Sequence, residues 1–103
     1  MFIKIYKVRL GGESKLYRSY CNAMHEFTEQ ADKLNKKIGL KDKVQFVKPD
    51  GCYTTHLVFL NGTELEFSNS DYAVVDDRGA QLHVSGKITK LPNKSTLYNY
   101  LNG

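Results

Sequence analysis

Glu64 and Glu66 form an acid-x-acid pair in the stretch LVFLNGTELEF, residues 57–67, and thirteen residues separate Glu64 from Asp50, which follows a proline. Carboxylates at such positions hold a divalent cation in metal-dependent nucleases, where a lysine two positions after the second acid assists the attacking water. Glu66 stands where that lysine is required, so the base is missing. The pattern therefore favours a solvated face of a β-hairpin over a nuclease site.

The same pair opens a longer acidic block. Five carboxylates lie within fourteen residues with no intervening lysine or arginine: Glu64, Glu66, Asp71, Asp76 and Asp77. They lack the D-x-[DN]-x-[DN]-G pattern of a calcium loop. Lined up on one edge, they would capture a basic partner surface by electrostatic steering, including a surface that normally binds phosphates. We predict these five residues as a partner-binding edge.

Six lysines make the densest basic segment of the chain: Lys33, Lys36, Lys37, Lys41, Lys43 and Lys48. With Tyr6, Tyr17 and Tyr20 they define an alternative, nucleic-acid-binding surface. Three of the lysines are also expected as charges near a helix C-terminus, and no RRM, KH or zinc-finger signature accompanies them. The chain has three arginines, although arginine is the favoured side chain for bidentate phosphate contacts.

The sequence contains no complete catalytic or cofactor motif. His83-x-Ser85 matches half of a two-histidine phosphoesterase signature, but Leu-Val follows His56, so the second half is missing. Cys21 and Cys52 have no C-x-x-C spacing and are expected to be reduced, packed thiols. We predict no catalytic, cofactor-binding or metal-ligating residues, which favours a protein that is not an enzyme.

A small metal-independent ribonuclease of the toxin type is the third hypothesis. A basic α+β domain of this kind cleaves RNA with general acids and bases, and the candidates here are Lys15, Tyr17, Arg18 and His83. Their spacing does not fix a common geometry.

Length and composition are typical of one soluble domain. With 103 residues, 41% of them hydrophobic and 25% charged, we expect a single α+β domain over residues 1–103. The opening MFIKIYKVRL carries Lys4 and Lys7, so no apolar run there is long enough for a signal peptide or a membrane span. We expect a cytoplasmic protein with no membrane association.

The net charge of +4 is unevenly distributed. Residues 1–49 contain 11 Lys or Arg and 5 Asp or Glu, residues 50–77 contain 6 acids and no Lys or Arg, and residues 78–103 contain 4 bases and no acids. Segregated charge marks an interaction surface when like charges gather in space. If the fold instead brings the blocks together, they neutralise one another.

The N-terminal third predicts a hairpin and a helix. Residues 2–10 form a strand whose apolar positions change phase, so either both faces are partly covered or a bulge intervenes. Gly11-Gly12 provides the turn to a second strand at 14–20. A helix is predicted over 23–38, because apolar residues recur there with the spacing of one buried helix face: Met24, Phe27, Ala31, Leu34 and Ile38. Asn22 is the expected N-cap and Gly39 the expected C′ residue.

Strands are predicted at 43–48 and 52–60, and Asn61-Gly62 predicts a two-residue hairpin loop to the next strand. That loop pairs Val58 with Leu65 and His56 with Phe67. The first arm, apolar on both faces, is expected in the middle of the sheet, and the arm from Thr63 to Phe67 near an edge.

The C-terminal part predicts a loop at 68–71, strands at 72–75, 80–84 and 87–91, and a short helix at 95–101 capped by Ser95. The predicted fold class is α+β, an antiparallel sheet of five to seven strands with one main helix and a short C-terminal helix.

A non-enzymatic binding protein is the function that the sequence favours. A plain, compact chain of this size is typical of inhibitors and adaptors, including those that phages and mobile elements encode against host proteins, by analogy of size alone. In this hypothesis the acidic edge occupies a basic, nucleic-acid-binding groove of a host protein, and no cofactor is needed. The alternatives are a nucleic-acid-binding accessory protein that uses Lys33–Lys48 and the ribonuclease.

Overall fold

Seven antiparallel strands and two helices make up the described part of the chain. The computed structural model describes residues 1–38, 45–47, 54–58 and 63–103, with the main chain alone for 35–38, 45–47 and 54–58. The strands are β1 Phe2–Leu10, β2 Glu13–Tyr17, β3 Gln45–Val47, β4 Thr54–Val58, β5 Glu64–Asp76, β6 Gly79–Val84 and β7 Lys87–Leu91, and the helices are α1 Tyr20–Ile38 and α2 Lys94–Asn99. The predicted α+β fold class is confirmed.

Strand β5 lies at the centre of the sheet. On one side it pairs with β1 along nearly its whole length, and β1 pairs in turn with β2. On the other side its first half pairs with β4, which leads to β3, and its second half pairs with β6, which leads to β7. The predictions of an edge strand at 63–67, a loop at 68–71 and a separate strand at 72–75 are therefore wrong, because all three belong to one 13-residue strand.

A β-bulge in β5 accounts for the misleading polar run. The pairing with β1 shifts between Ile5 and Lys7, so that Asn69 and Ser70 lie opposite Tyr6 alone. An extra residue on one strand bends that strand without ending it. Short polar side chains suit the bulge, and their succession is what predicted a loop.

The register between β4 and β5 also differs from the prediction by one residue. Val58 lies opposite Glu64, and His56 lies opposite Glu66. Leu65 lies opposite Leu57, so the observed register does not correspond to the two-residue loop that Asn61-Gly62 predicts. The loop itself lies outside the described residues.

Helix α1 begins three residues before its predicted start. Ser19 is its N-cap, since the Ser19 hydroxyl accepts the N–H of Asn22 at 3.2 Å and the Ser19 carbonyl accepts the N–H of Ala23 at 3.0 Å. Asn22, predicted as the cap, lies inside the first turn. Gly39, the predicted C′ residue, lies outside the described residues.

Two cores lie on opposite faces of the sheet. The α1 core contains Val8, Tyr17, Ala23, Phe27, Leu65 and Phe67, and the predicted stripe residues Met24, Ala31 and Leu34 pack against it. The α2 core contains Ile5, Ala73, Ala80, Leu82, Leu91 and Leu97. Because alternate residues of a strand point to opposite faces, Val8 and Ile5 place the two cores on the two sides of β1. The changing phase of β1 thus reflects coverage of both faces, each at a different end.

Helix α2 is held by a different cap from the predicted Ser95. The Asn93 carboxamide oxygen accepts the N–H of Thr96 at 2.8 Å. Leu97 is completely buried and carries the helix into the α2 core. Neither described helix is long and apolar enough to cross a membrane.

Candidate functional site

The sheet face opposite α2 carries two rows of side chains across β1, β5, β6 and β7. We call it the open face. The first row is Lys4, Tyr72, His83 and Ile88, and the second is Phe2, Val74, Gln81 and Lys90. Residues directly opposite one another share a face, and the alternate residues Ile3, Ala73 and Leu82 belong to or pack against the α2 core. All eight side chains therefore lie on the side away from α2.

Three aromatic rings stack on the open face. The centroids of Phe2 and Tyr72 are 5.2 Å apart with an interplanar angle of 22°, and those of Tyr72 and His83 are 4.4 Å apart with an angle of 13°. Tyr72 lies on the middle strand, so the outer ring faces of the stack belong to Phe2 and His83. Phe2 is 66% exposed and Ile88, beside His83 on β7, is 54% exposed. Phe2 therefore presents an accessible ring to another planar group, whereas His83 is half-buried.

Cationic side chains flank the stack. Lys4 and Lys90 are both exposed, one in each row. Beside Lys90, a shallow depression of about 260 Å³ is also lined by Arg78, Gln81 and Asp76. The Asp76 carboxylate accepts the main-chain N–H of Arg78 at 2.8 Å. The face thus offers ring surfaces together with ammonium and guanidinium groups.

A second aromatic group continues the same face of β1 toward α1. Tyr6 packs edge-on against Tyr20 at 5.6 Å and lies 6.2 Å from Phe67, which in turn contacts Phe27. Tyr20 is 50% exposed. Of the tyrosines noted in the sequence, Tyr6 and Tyr20 therefore border the open face, whereas Tyr17 is buried in the α1 core.

Glu64 and Glu66 lie on the other face of the sheet, against two cations of β1. The Arg9 guanidinium donates to the Glu64 carboxylate and lies 3.4 Å from Glu66 Oε2, while Lys7 Nζ lies 3.6 Å from Glu66 Oε1. Burial lowers the pKa of Arg9, but the hydrogen bond to Glu64 and the charge of Glu66 outweigh it and raise that pKa overall. The acidic block and the N-terminal basic block neutralise one another here.

The five predicted acidic residues therefore do not form one exposed edge. Glu66 is 9% exposed and Asp71 only 4%. Asp71 Oδ1 accepts the N–H of Ser85 at 3.0 Å, and the Ser85 hydroxyl accepts from Lys7 Nζ at 2.6 Å. Asp76 and Asp77 are exposed in and beside the turn between β5 and β6. The bulge keeps Asp71 on the same buried face as Glu66, while Asp76 lies five residues further along β5 and Asp77 lies in the turn that follows.

The predicted basic segment lies mostly outside the described side chains. Lys33 is exposed on α1, with its Nζ 3.6 Å from Glu29 Oε1. Lys36 and Lys37 are described by their main chain alone, and Lys41, Lys43 and Lys48 lie outside the described residues, as do Asp50 and Cys52. Cys21 is an exposed free thiol on α1, not the packed thiol that the sequence predicts.

The four ribonuclease candidates each have a different partner. Lys15 binds Glu26 at 3.0 Å, Arg18 lies over the ring of Tyr98 at 4.2 Å, and His83 stacks on Tyr72. Tyr17 is buried, and burial raises the pKa of its hydroxyl. Nothing in these contacts assembles an acid–base pair. Within the described residues, no three His, Cys, Asp or Glu side chains gather as metal ligands.

Comparison with known proteins found no matching family model, no matching curated protein and no matching solved structure.

The sequence reasoning missed Phe2, Tyr72, Lys4 and Lys90 as a group. Each lies in a strand where aromatic or basic residues alternate with apolar ones, and that alternation was the available signal. Only the strand register shows that these four residues belong to adjacent positions on one face.

Proposed function

We propose that the protein binds single-stranded nucleic acid on the open face. The observation that carries the proposal is the stack of Phe2, Tyr72 and His83, which is exposed at the Phe2 end and flanked by Lys4 and Lys90. Unpaired bases are planar and stack on aromatic side chains whatever their sequence, while ammonium groups contact the phosphates between them. The function is thus the nucleic-acid-binding alternative, on a surface other than Lys33–Lys48.

The composition of the open face favours nucleic acid over a protein partner. Lysine is depleted at the centre of protein–protein interfaces, where desolvating its ammonium group is costly. Two of the eight side chains in the rows are lysines, and none is a carboxylate. Such a surface attracts a polyanion, whose binding releases counterions.

The acidic-edge inhibitor draws less support from the geometry. Its mechanism needs exposed carboxylates, but Glu66 and Asp71 are buried and Glu64 is hydrogen-bonded to Arg9. The exposed pair Asp76 and Asp77 is all that supports it. A protein partner is therefore an outcome of the test below rather than a second proposal.

The test is fluorescence polarisation with labelled oligothymidylate and oligouridylate of about 15 nucleotides. We expect saturable binding at low salt, and a fall in affinity as the salt concentration rises from about 50 to 200 mM. Two to three phosphate contacts predict a slope of log K against log salt of about −1.4 to −2.1. Duplex DNA of the same length is expected to bind more weakly, because its bases are not free to stack.

Variants locate the surface. Phe2→Ala is expected to weaken binding by about 1–3 kcal/mol, the range for loss of one stacked base. The matched control is Tyr100→Ala, which removes another exposed aromatic ring, 48% exposed, beyond α2. For the cations, Lys4→Gln with Lys90→Gln should reduce the salt slope, whereas Lys33→Gln on α1 should leave it unchanged.

Absence of binding at low salt would overturn the proposal. If Phe2→Ala and Tyr100→Ala weaken oligonucleotide binding equally, or if Lys33→Gln alone weakens it, the oligonucleotide does not bind on the open face. An acidic protein could also be captured that competes with the oligonucleotide on the wild type but not on Phe2→Ala. That result would indicate a protein partner at the same surface.

A further inference from the structure

Three donor groups converge on the other side of the sheet. Tyr98 belongs to α2 and packs against the α2 core. The Arg18 guanidinium carbon lies 4.2 Å from the centroid of its ring, and Lys94 Nζ, one helical turn before Tyr98, lies 5.4 Å from the same centroid. Arg18 follows β2, so two distant parts of the chain place their cations at one phenol.

The charge around the Tyr98 hydroxyl is positive. Hydrogen bonding to Lys94 lowers the pKa of Tyr98, and the charges of Lys94 and Arg18 act in the same direction. Among the described residues, neither cation has a carboxylate within salt-bridge distance, unlike Arg9 or Lys15. Both are exposed. Two like charges close to one ring repel each other, and a bound anion would offset both charges.

We propose that Arg18, Lys94 and Tyr98 form a binding site for a phosphate monoester group. Phosphate suits the three groups because arginine donates in a planar fork, lysine supplies a compact charge and the phenol supplies an O–H donor to a third oxygen. A dianion would match the two positive charges.

The site is separate from the open face. Leu97, beside Tyr98 on α2, is buried in the α2 core, and that core lies on the side of the sheet away from Phe2 and Tyr72. The proposal therefore stands independently of nucleic-acid binding on the open face, and the two are tested with different variants.

The experiment is a titration with inorganic phosphate, followed by NMR of protein labelled with ¹³C at the tyrosine ζ carbon. Sodium chloride is exchanged for phosphate at fixed ionic strength, so that general screening does not change. We expect a saturable shift of the Tyr98 resonance and a rise of the Tyr98 pKa toward its ordinary value of 10.0 in saturating phosphate, because the bound anion offsets the two cations.

Arg18→Gln and Lys94→Gln are expected to weaken phosphate binding about tenfold each, which is about 1.4 kcal/mol. Lys87→Gln is the matched control, since it removes an exposed lysine of β7. Phe2→Ala should bind inorganic phosphate as the wild type does. Amide spectra of each variant show whether it is folded.

A second arm separates the sources of the phosphate. A 5′-phosphorylated dinucleotide is compared with its 5′-hydroxyl form in the Phe2→Ala background. Preference for the phosphorylated form identifies a terminal phosphate of nucleic acid as a ligand. If both dinucleotides bind equally weakly while inorganic phosphate binds tightly, the ligand is the free anion. The proposal is overturned if phosphate gives no saturable shift, or if Arg18→Gln and Lys94→Gln titrate like the wild type.

Discussion

The two ends of the sheet differ in the side chains that they carry on the face opposite their helix. At the end covered by α1, the other face holds Lys7, Arg9, Glu64 and Glu66, whose charges lie against one another. At the end covered by α2, the open face holds stacked rings and lysines, and its two rows contain no carboxylate. The charges of the first face pair with one another, whereas the second face is the one on which we propose that a ligand binds.

This difference shows how segregated charge in a sequence is to be interpreted. The acidic block at 50–77 was the strongest charge signal in the chain, yet two of its members pair with β1. Charges that neutralise one another across strands stabilise the fold and attract little from solution. The proposed function rests instead on Lys4 and Lys90 beside the exposed ring of Phe2.

The largest expected effects come from the two cores. Leu65→Ala in the α1 core and Leu97→Ala in the α2 core each remove a side chain with 0% exposure. Each should lower the free energy of unfolding by about 2–5 kcal/mol, from lost burial and the cavity left behind. Urea unfolding followed by circular dichroism measures both. A loss below about 1 kcal/mol for one of them would show that its end of the sheet is loosely packed.

A smaller effect is expected from the charged face. Lys7→Met leaves the buried carboxylate of Glu66 with fewer partners, and we expect a loss of about 1–3 kcal/mol. Lys15→Met is the control, because Lys15 also pairs with a glutamate but its side chain is 54% exposed, against 10% for Lys7. The control should lose less stability than Lys7→Met, because water screens the exposed pair. Equal losses would contradict the view that the charged face is a closed network.

The smallest effect is the pH dependence contributed by Glu26. Hydrogen bonds from Gln30 and then Lys15 hold the pKa of Glu26 below its ordinary value of 4.5. A carboxyl whose pKa is lower in the folded state stabilises the fold above its unfolded pKa, and that contribution is lost as the pH falls through the folded pKa. The free energy of unfolding of Glu26→Gln should therefore fall less steeply than that of the wild type as the pH is lowered below 4.5. Urea unfolding of both proteins at a series of pH values measures the two slopes. An unchanged slope would show that Glu26 gains nothing from these partners.

Much of the fold was predictable because local patterns determine it. The stripe through Met24, Phe27 and Leu34 predicted α1, and the strands predicted at 80–84 and 87–91 correspond to β6 and β7. The continuity of β5 was not predictable, because a bulge lined with serine and asparagine has the composition of a loop. The caps at Ser19 and Asn93 were missed since several neighbouring residues are equally good caps.

The candidate site was not predictable from local patterns. Its stack joins Phe2, Tyr72 and His83, which lie in three strands, and the pairing of β1 with β5 spans most of the chain. Each residue alone reads as an ordinary strand position. The acids, by contrast, were close together in sequence, but Glu66 and Asp71 are buried on one face of β5 while Asp76 and Asp77 are exposed at and beyond its end.

The pairing of β1 with β5 also affects how the chain folds during its synthesis. Since Phe2 pairs with Val74 and Leu10 with Leu65, β1 leaves the ribosome long before its main partner has been synthesised. Contacts of such separation make folding slow, and an early apolar strand is prone to pair with other nascent chains. Lys4 and Lys7 within β1 supply charges that oppose such aggregation. The two lysines of β1 would thus disfavour association of nascent chains before they reach their places in the folded sheet.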